Sequence, residues 1–226
     1  MLDDAVWPEL AERAATSVLV VPLGSTEQHG PHLPFGTDTG IAVALVERVA
    51  ARRDDVVVAP ALAYGSSGEH AAFPGTLSIG AAALELVVLE LVRSADAFAG
   101  VVLVSGHGGN AAPLAAASAT AASEGREVLV WFPRIAGGDA HAGRTETSMM
   151  LALRPGAVRP QPWETGDARP LAELMPALVQ AGVAAVAPNG ILGDPRGASA
   201  DEGRAIIEQL VDDLDRAIET WKGARR

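Results

Sequence analysis

The stretch SVLVVPLGSTEQHG, residues 17–30, joins an apolar run to a polar loop, and it decides the fold class of this 226-residue chain. Residues 17–23 are short, apolar and rich in valine, which is typical of a strand buried on both faces of a parallel sheet. The following loop carries Glu27 and His29 among glycine and polar residues. Because ligands bind beyond the carboxyl ends of the strands in open parallel sheets, this loop is where we first expect a functional site.

Three more apolar, valine-rich runs predict buried strands, at residues 56–60, 101–105 and 127–132. Helical patterns lie between the runs, at residues 41–52, 81–97 and 111–123. Alternation of strands and helices implies right-handed crossovers and a mostly parallel sheet that is covered on both faces. We therefore predict an α/β fold with three αβα layers.

The C-terminal part predicts one long helix, about residues 201–221, which should dock on the body of the protein. Its apolar stripe consists of Ile207, Leu210, Leu214, Ile218 and Trp221. Residues 155–170 are rich in proline and predict a surface excursion without regular structure. No repeat, linker or second composition regime is visible, so we predict a single domain over residues 1–226.

The net charge of −11 argues against nucleic acid or an anionic membrane as the main partner, since both select basic patches. The long apolar stretch at residues 81–104 contains four charged side chains, so it does not predict a membrane span. Asp3, Asp4 and Glu9 stand where a secretory signal needs basic and apolar residues. We expect a cytoplasmic enzyme.

The chain contains no cysteine, which excludes disulfides, thiolate ligands and a cysteine nucleophile. A transition metal would have to be held by imidazole and carboxylate groups, a donor set that suits zinc, manganese or iron. The one lysine, Lys222, lies near the C-terminus, so neither Schiff-base chemistry nor a P-loop is expected.

The five histidines all lie in segments flanked by glycine or proline, which favours a shared site over five separate structural roles; they are His29, His32, His70, His107 and His141. Glu27 and His29 are two residues apart, and a turn stiffened by proline can bring Asp38 back towards them. Two carboxylates and an imidazole so close in sequence match divalent-metal chemistry. The alternative for Asp38 is a helix N-cap before a helix that begins at about Gly40.

His107 lies in SGHGGN, directly after a predicted strand. The motif from Gly106 to Ala111 also matches a dinucleotide-binding fingerprint, but no acidic residue ends the next strand. A serine-esterase oxyanion motif is the third interpretation, and the chain has no G-x-S-x-G elbow to accompany it. We favour a metal ligand.

His141 and Glu146 precede a helical pattern that runs to Leu153. Capping of that helix would explain Glu146, but it would leave His141 unexplained. Glu69 and His70 form another polar pair on a loop, and either a loop-fixing hydrogen bond or contact with a substrate fits them.

Four segments together resemble the creatininase family of amidohydrolases, in the order that the family has them. They are VPLGSTEQHGPHLPFGTDT from Val21, EHAAFPGT from Glu69, SGHGGN from Ser105 and DAHAGRTETSMMLAL from Asp139. The resemblance implies a three-layer αβα fold and a two-metal site that hydrolyses a C–N bond. It implies two divalent ions per subunit, iron(II) or zinc, with manganese also compatible.

The resemblance also implies roles for individual residues. The family's metal ligands fall on Glu27, His29, Asp38 and His107, with Asp38 in the bridging place. Creatininase has a glutamate where this chain has Gly109, so one carboxylate is missing, and we expect Glu146 to replace it as a metal ligand and catalytic group. His141 falls on a catalytic histidine. Contacts with the substrate or with the ligands are expected for His32, Glu69, His70 and Asn110.

Creatininase places a tryptophan where Gly137 stands, so creatinine is not the expected substrate. The segments that begin at Tyr64 and Pro170 resemble family members that release a modified C-terminal Val-Tyr dipeptide from a ribosomal precursor peptide. A modified precursor peptide is therefore the expected substrate. The alternatives are a small-molecule amidohydrolase of a cyclic amide or formamide, and a binding module with a structural ion. Relatives form closed homo-oligomers, and we expect the same here.

Overall fold

The structure, a computed structural model, describes residues 1–160 and 162–224. Within this part, four parallel strands form one sheet in the order β2-β1-β3-β4. The strands are β1 (Val18–Leu23), β2 (Val56–Val58), β3 (Gly100–Ser105) and β4 (Val128–Trp131). The four predicted strands are confirmed, each within two residues at its ends.

The described residues form eight α-helices and several short 3₁₀ turns. The helices are α1 (Trp7–Ala11), α2 (Thr37–Ala50), α3 (Ala81–Ser94), α4 (Ala111–Ser123), α5 (Arg144–Leu153), α6 (Leu171–Ala181), α7 (Val183–Val186) and α8 (Ala200–Gly223).

Successive side chains of β1 point to opposite faces of the sheet, and each face is covered by helices. Val18 and Val20 belong to a core cluster that includes residues of α2, α5 and α8. Leu19 and Val21 belong to a second cluster, which includes residues of α3 and α4. Since both faces of the strand are buried, its sequence is continuously apolar. The predicted αβα layers are confirmed.

Helix α8 docks on the sheet through the predicted stripe. Ile207, Leu210, Leu214 and Ile218 are buried, and Trp221 packs against the same cluster half-buried. The Ser199 hydroxyl caps the helix by accepting a hydrogen bond from the Glu202 amide, at 3.2 Å.

The first predicted helix begins one turn earlier than its apolar pattern, at Thr37 rather than residue 41. Gly36 occupies the N-cap position, and Asp38 lies inside the first turn. The N-cap interpretation of Asp38 is therefore wrong, because its carboxylate accepts the Ser25 hydroxyl and faces His29 instead of backbone amides.

Residues 155–170 contain a 3₁₀ turn at Pro155–Ala157 and otherwise no helix or strand among the described residues, as expected. Residue 161 of that stretch lies outside the described residues, as do residues 225 and 226 at the end of the chain. The single domain over residues 1–226 stays a prediction. None of the described helices has both the length and the apolar character needed to cross a membrane.

Candidate metal centre

Four loops meet at the carboxyl edge of the sheet. Leu23 and Ser105 are register partners, so the loops that follow β1 and β3 leave the sheet side by side. Asn110 ties them together: its amide nitrogen donates to the Gly24 carbonyl at 3.0 Å, and its oxygen accepts the Ser66 amide at 2.9 Å. The start of α5 and the turn Gly68–His70 complete the site.

Glu27 lies at the centre of these loops, fully buried. Neither of its carboxylate oxygens meets hydrogen-bond geometry with any described residue. Imidazole nitrogens stand around Oε1: His107 Nδ1 at 3.1 Å, His70 Nε2 at 3.5 Å and His141 Nδ1 at 3.7 Å. Burial alone would raise the pKa of Glu27, but His107 foremost, with His70 and His29, outweighs burial and holds the pKa well below its usual value.

Three of the imidazoles use their outer nitrogen to donate to a backbone carbonyl. The bonds are His29 Nδ1 to Glu27 O (3.1 Å), His107 Nε2 to Ser66 O (3.0 Å) and His141 Nε2 to Gln28 O (2.9 Å). A carbonyl oxygen can only accept, so each outer nitrogen carries a proton. Metal-bound histidines are usually held by this kind of outer bond, which leaves the inner nitrogen for the ion.

The inner nitrogens of the same imidazoles point at carboxylate oxygens. His29 Nε2 lies 2.9 Å from Asp38 Oδ1, and His107 Nδ1 lies 3.5 Å from Asp38 Oδ2 as well as 3.1 Å from Glu27. A lone pair facing a carboxylate is stable only when a cation or a proton lies between them. The arrangement therefore fits a site for metal ions.

Three sets of side chains bring their ligand atoms within 4.8 Å of one another: Glu27, His29 and His141; Glu27, Asp38 and His107; and His29, Asp38 and Glu146. Asp38 belongs to two of the sets. All five residues predicted as ligands therefore come together, and His141, predicted as catalytic, lies with them.

The contacts of Glu146 fit both interpretations that its position in the sequence left open, the capping group and the metal ligand. Its Oε2 accepts the backbone amide of Ala142 at 2.6 Å, a bond at the N-terminus of α5, and lies 3.9 Å from His29 Nε2. Burial raises the pKa of Glu146 to about 7, assisted by the nearby Asp38 and Glu27 carboxylates and opposed by His29.

Without an ion, protons occupy the inner face of the cluster. Burial lowers the pKa of His29, but Asp38 and the other carboxylates outweigh burial and raise it to about 10. Burial likewise lowers the pKa of His107, and Glu27 with the other carboxylates raises it to about 9. By contrast, burial and the neighbouring imidazoles of His29 and His70 hold the pKa of His141 well below its usual value.

The other predicted residues lie around this cluster. His32 Nε2 forms a hydrogen bond with the Thr147 hydroxyl at 2.9 Å. Burial, together with the charge of His29, lowers the pKa of His32 to about 4. Glu69 Oε1 lies 3.5 Å from His107 Nε2, with about a third of its side chain exposed. Asn110 is fully buried and bonds to the protein at both ends of its amide, so its contacts tie loops.

Gly109 leaves no space for a side chain. A Cβ atom there would lie 2.3 Å from His107 Nε2, 2.5 Å from the Ser66 carbonyl and 2.7 Å from Glu69 Oε1. The loop therefore cannot present a carboxylate from this position, and Glu146 is the acidic group that stands beside His29 and Asp38.

Two residues that the sequence did not single out also shape the cluster. The Ser25 hydroxyl donates to Asp38 Oδ2 at 3.1 Å. The Gln28 amide contacts the imidazoles of His70 and His141. The sequence points to these two residues only through their nearness to Glu27, because a buried serine or glutamine has no distinctive sequence pattern.

A cleft of about 1160 Å³ opens beside the cluster, and Glu146 lines it. Its wall includes apolar groups and two arginines: Phe132, Arg134, Arg144, Leu171 and Leu192. Arg144 is paired with Glu202 at 2.9 Å. The site is thus open to a ligand on the side of Glu146.

Comparisons with known proteins agree with this geometry. Residues 3–218 match the family model described as Creatininase: Creatinine amidohydrolase. The mycofactocin precursor peptide peptidase of Mycolicibacterium smegmatis is 50% identical over 215 residues, which cover 92% of this chain and 87% of that protein.

Solved structures of creatininase have the same fold. One is 27% identical with a TM-score of 0.83, over 97% of this chain and 96% of that one. A mutant creatininase described as Zn-Zn type is 28% identical with a TM-score of 0.78, over the same shares of the two chains. This chain therefore belongs to the creatininase family of hydrolases.

Proposed function

We propose that the chain is a metal-dependent peptidase that hydrolyses a peptide bond of a modified precursor peptide and releases its modified C-terminal Val-Tyr dipeptide. A relative that is 50% identical over most of both chains is named as a mycofactocin precursor peptide peptidase, which supports a precursor peptide as the substrate. Release of the Val-Tyr dipeptide is what the resemblance of the segments from Tyr64 and Pro170 implies. The observation that carries the metal dependence is the set of imidazoles that donate outwards and turn their inner nitrogens towards buried carboxylates.

Two divalent ions would be held by two overlapping sets of ligands. Glu27, Asp38 and His107 would hold one, and His29, Asp38 and Glu146 the other, with Asp38 shared. When bound, such ions supply a Lewis acid for the scissile carbonyl and an activated water at neutral pH. Nitrogen and oxygen donors suit iron(II) or zinc, and manganese is also compatible.

His141 is the group proposed to move a proton during hydrolysis. Its Nε2 proton is held by the Gln28 carbonyl, so its free lone pair lies on Nδ1, towards Glu27. Because burial and neighbouring imidazoles keep its pKa low, the ring is neutral at physiological pH and can accept a proton. Glu146, whose pKa burial raises to about 7 in the metal-free protein, would be held as a carboxylate once it binds an ion.

The cleft beside Glu146 has room for a segment of peptide. Pockets for small molecules span about 300–1000 Å³, and the cleft beside Glu146 holds about 1160 Å³. The second candidate function is hydrolysis of a small cyclic amide or formamide. It is favoured by the match of residues 3–218 to the creatinine amidohydrolase model.

One assay separates the two candidates. Protein loaded with iron(II) or zinc is incubated with the crosslinked precursor peptide, with creatinine and with a formamide, and the products are identified by mass spectrometry. We expect a two-residue fragment from the peptide, lost on chelation and restored by metal. Turnover of creatinine or the formamide with an intact peptide would reject the peptidase proposal.

Matched variants link the activity to the cluster. Glu27→Gln keeps the shape of the side chain but removes the buried charge, so we expect it to abolish turnover. Glu208→Gln makes the same chemical change on the exposed face of α8, where Glu208 pairs with Arg52, and we expect it to leave turnover unchanged.

We also propose that the chain forms a homo-oligomer. Helix α6 exposes an apolar stripe of Leu171, Met175 and Val179, the last with 79% of its surface accessible. Light scattering coupled to size-exclusion chromatography measures the mass directly, and a mass near the 23.1 kDa of one chain would reject this proposal.

A further inference from the structure

Gln28 lies between two of the proposed ligands in sequence, and the residue is only 6% exposed. The orientation of its amide follows from its backbone partners. Oε1 lies 2.8 Å from the Gly30 amide, which can only donate, and Nε2 lies 3.0 Å from the Gly190 carbonyl, which can only accept. The oxygen and the nitrogen of the amide are thereby distinguished.

The amide nitrogen has two protons, and its partners account for both. One proton goes to the Gly190 carbonyl, and the other goes to His70 Nδ1 at 2.9 Å. His141 Nε2 also lies 3.1 Å away, but that nitrogen already donates to the Gln28 carbonyl and has no lone pair to offer.

His70 therefore accepts at Nδ1, and its own proton must be on Nε2. That nitrogen is 3.5 Å from Glu27 Oε1. His107 and His141 each use Nε2 to donate to a backbone carbonyl, so their Nδ1 atoms, which face Glu27, are the nitrogens that an ion would take. His70 differs from them, because its tautomer places the N–H on the nitrogen that faces the carboxylate.

We propose that Gln28 is a positioning residue that fixes the His70 tautomer, so that His70 presents Nε2–H to the Glu27 carboxylate and supports it as a metal ligand. The inference rests on the proposed metal site. Groups behind a metal ligand typically change metal affinity by 10- to 100-fold when they are removed.

The surrounding backbone keeps the Gln28 amide in this position. Gly190 has a φ of +78°, and a Cβ atom there would lie 1.9 Å from Gln28 Oε1. A glycine is therefore required for the loop to approach the amide. The bonds to Gly30 and Gly190 hold the amide in this orientation. The contact also joins the loop after β1 to the loop that pairs with His141 through Leu192.

Two substitutions separate a role in proton placement from a role in packing. Gln28→Met keeps the length of the side chain and removes the donor. Gln28→Glu keeps the shape more closely, but its carboxylate would accept from His70 Nδ1–H and leave a lone pair on Nε2 facing Glu27. Proton placement predicts that Gln28→Glu is the more damaging variant, whereas packing predicts the opposite order.

The tautomer is measured directly on metal-free protein by nitrogen NMR of ¹⁵N-labelled histidine, with the His70 signals assigned from their loss in His70→Asn. We expect a protonated Nε2 in the natural protein and a changed tautomer in Gln28→Glu. Zinc affinity should fall about 10- to 100-fold in Gln28→Met. A Gln28→Met/His70→Asn double variant should bind zinc no more weakly than His70→Asn alone.

Asn110→Ser is the matched control, because Asn110 is also a buried amide that links loops, and its side chain bonds to Ser66, Gly24 and Ser105. We expect it to lower the melting temperature without altering the His70 tautomer. A proton on Nδ1 in the natural protein overturns the inference, even if Gln28→Met fails to fold. The expected tautomer and zinc affinities without peptide cleavage would uphold the inference and reject the proposed function instead.

Discussion

Asp38 is the residue on which the proposed centre depends most, because its two oxygens face different imidazoles. Oδ1 lies 2.9 Å from His29, and Oδ2 lies 3.5 Å from His107 and accepts the Ser25 hydroxyl at 3.1 Å. The hydroxyl orients a carboxylate that belongs to two of the three possible ligand sets. Loss of its charge should therefore affect both ions together.

We expect Asp38→Asn to lose both metal ions and all turnover, because an amide is a much weaker ligand and adds a donor where two imidazoles converge. Elemental analysis of the purified variant measures this directly. Asp212→Asn, an equivalent change in an exposed ion pair with Arg52, should keep the metal content of the natural protein. Full metal occupancy in Asp38→Asn would reject the bridging role.

His141 is expected to behave differently from the ligands. His141→Ala should retain metal and lose about 10²- to 10⁴-fold in kcat, the usual contribution of a proton-transfer group. Elemental analysis and steady-state kinetics of the same preparation give both quantities. If the variant loses bound metal as well as kcat, His141 is a metal ligand. Its ligand atoms lie close enough to those of Glu27 and His29 for that role.

The sequence predicted the residues of the site better than their contacts. Glu27, His29 and Asp38 were recognisable because ligand-type side chains recur within twelve residues after a strand. Gln28 was not, since alternation along an extended chain would turn it away from its neighbours. Its amide reaches His70 and Gly190 only because the loop after β1 turns between two distant segments, which local sequence does not encode.

At the scale of elements, the loop between β3 and α4 is shaped by close approach to His107. Gly109→Ala would place a Cβ 2.3 Å from His107 Nε2 and 2.5 Å from a backbone carbonyl, so the imidazole or the loop must shift. We expect a lower melting temperature and reduced zinc affinity, measured by calorimetry. Gly108→Ala is the matched control for both readouts, because its Cβ would meet nothing within 4 Å; equal effects of the two changes would contradict this explanation.

The elements that sequence predicted least well are those shaped by tertiary contacts. Helix α6 contains Pro176 in its interior, which normally disfavours a helix. Before α5, the buried Ala142 has a φ of +53°, a left-handed conformation that costs an L-residue about 1–2 kcal/mol. Glu146 accepts its amide at 2.6 Å, so the strained turn and the acidic group of the site stabilise each other. Strands β1 and β3, by contrast, were predictable because burial on both faces requires continuous apolar sequence.

At the scale of the whole molecule, the parallel sheet gathers loops from distant parts of the chain into one acidic and imidazole-rich centre. In the metal-free protein the pKa of His29 is raised to about 10 and that of His107 to about 9. In the unfolded chain the pKa of a histidine is about 6.5. The raised pKa values therefore stabilise the metal-free fold fully below about pH 6.5, and this stabilisation is lost as the pH rises through 9 to 10. Protons and metal ions thus compete for the same inner nitrogens.

Binding of metal at pH 7.5 should therefore release about two protons, one from each of these imidazoles, because both are charged at that pH and each must be neutral to bind an ion. Zinc affinity should rise with pH and level off once the pH exceeds about 10. Titration calorimetry in two buffers of different ionisation enthalpy counts the released protons, and His107→Gln should reduce the number by about one. An equal heat in both buffers would show that the inner nitrogens are already free, and would contradict this competition.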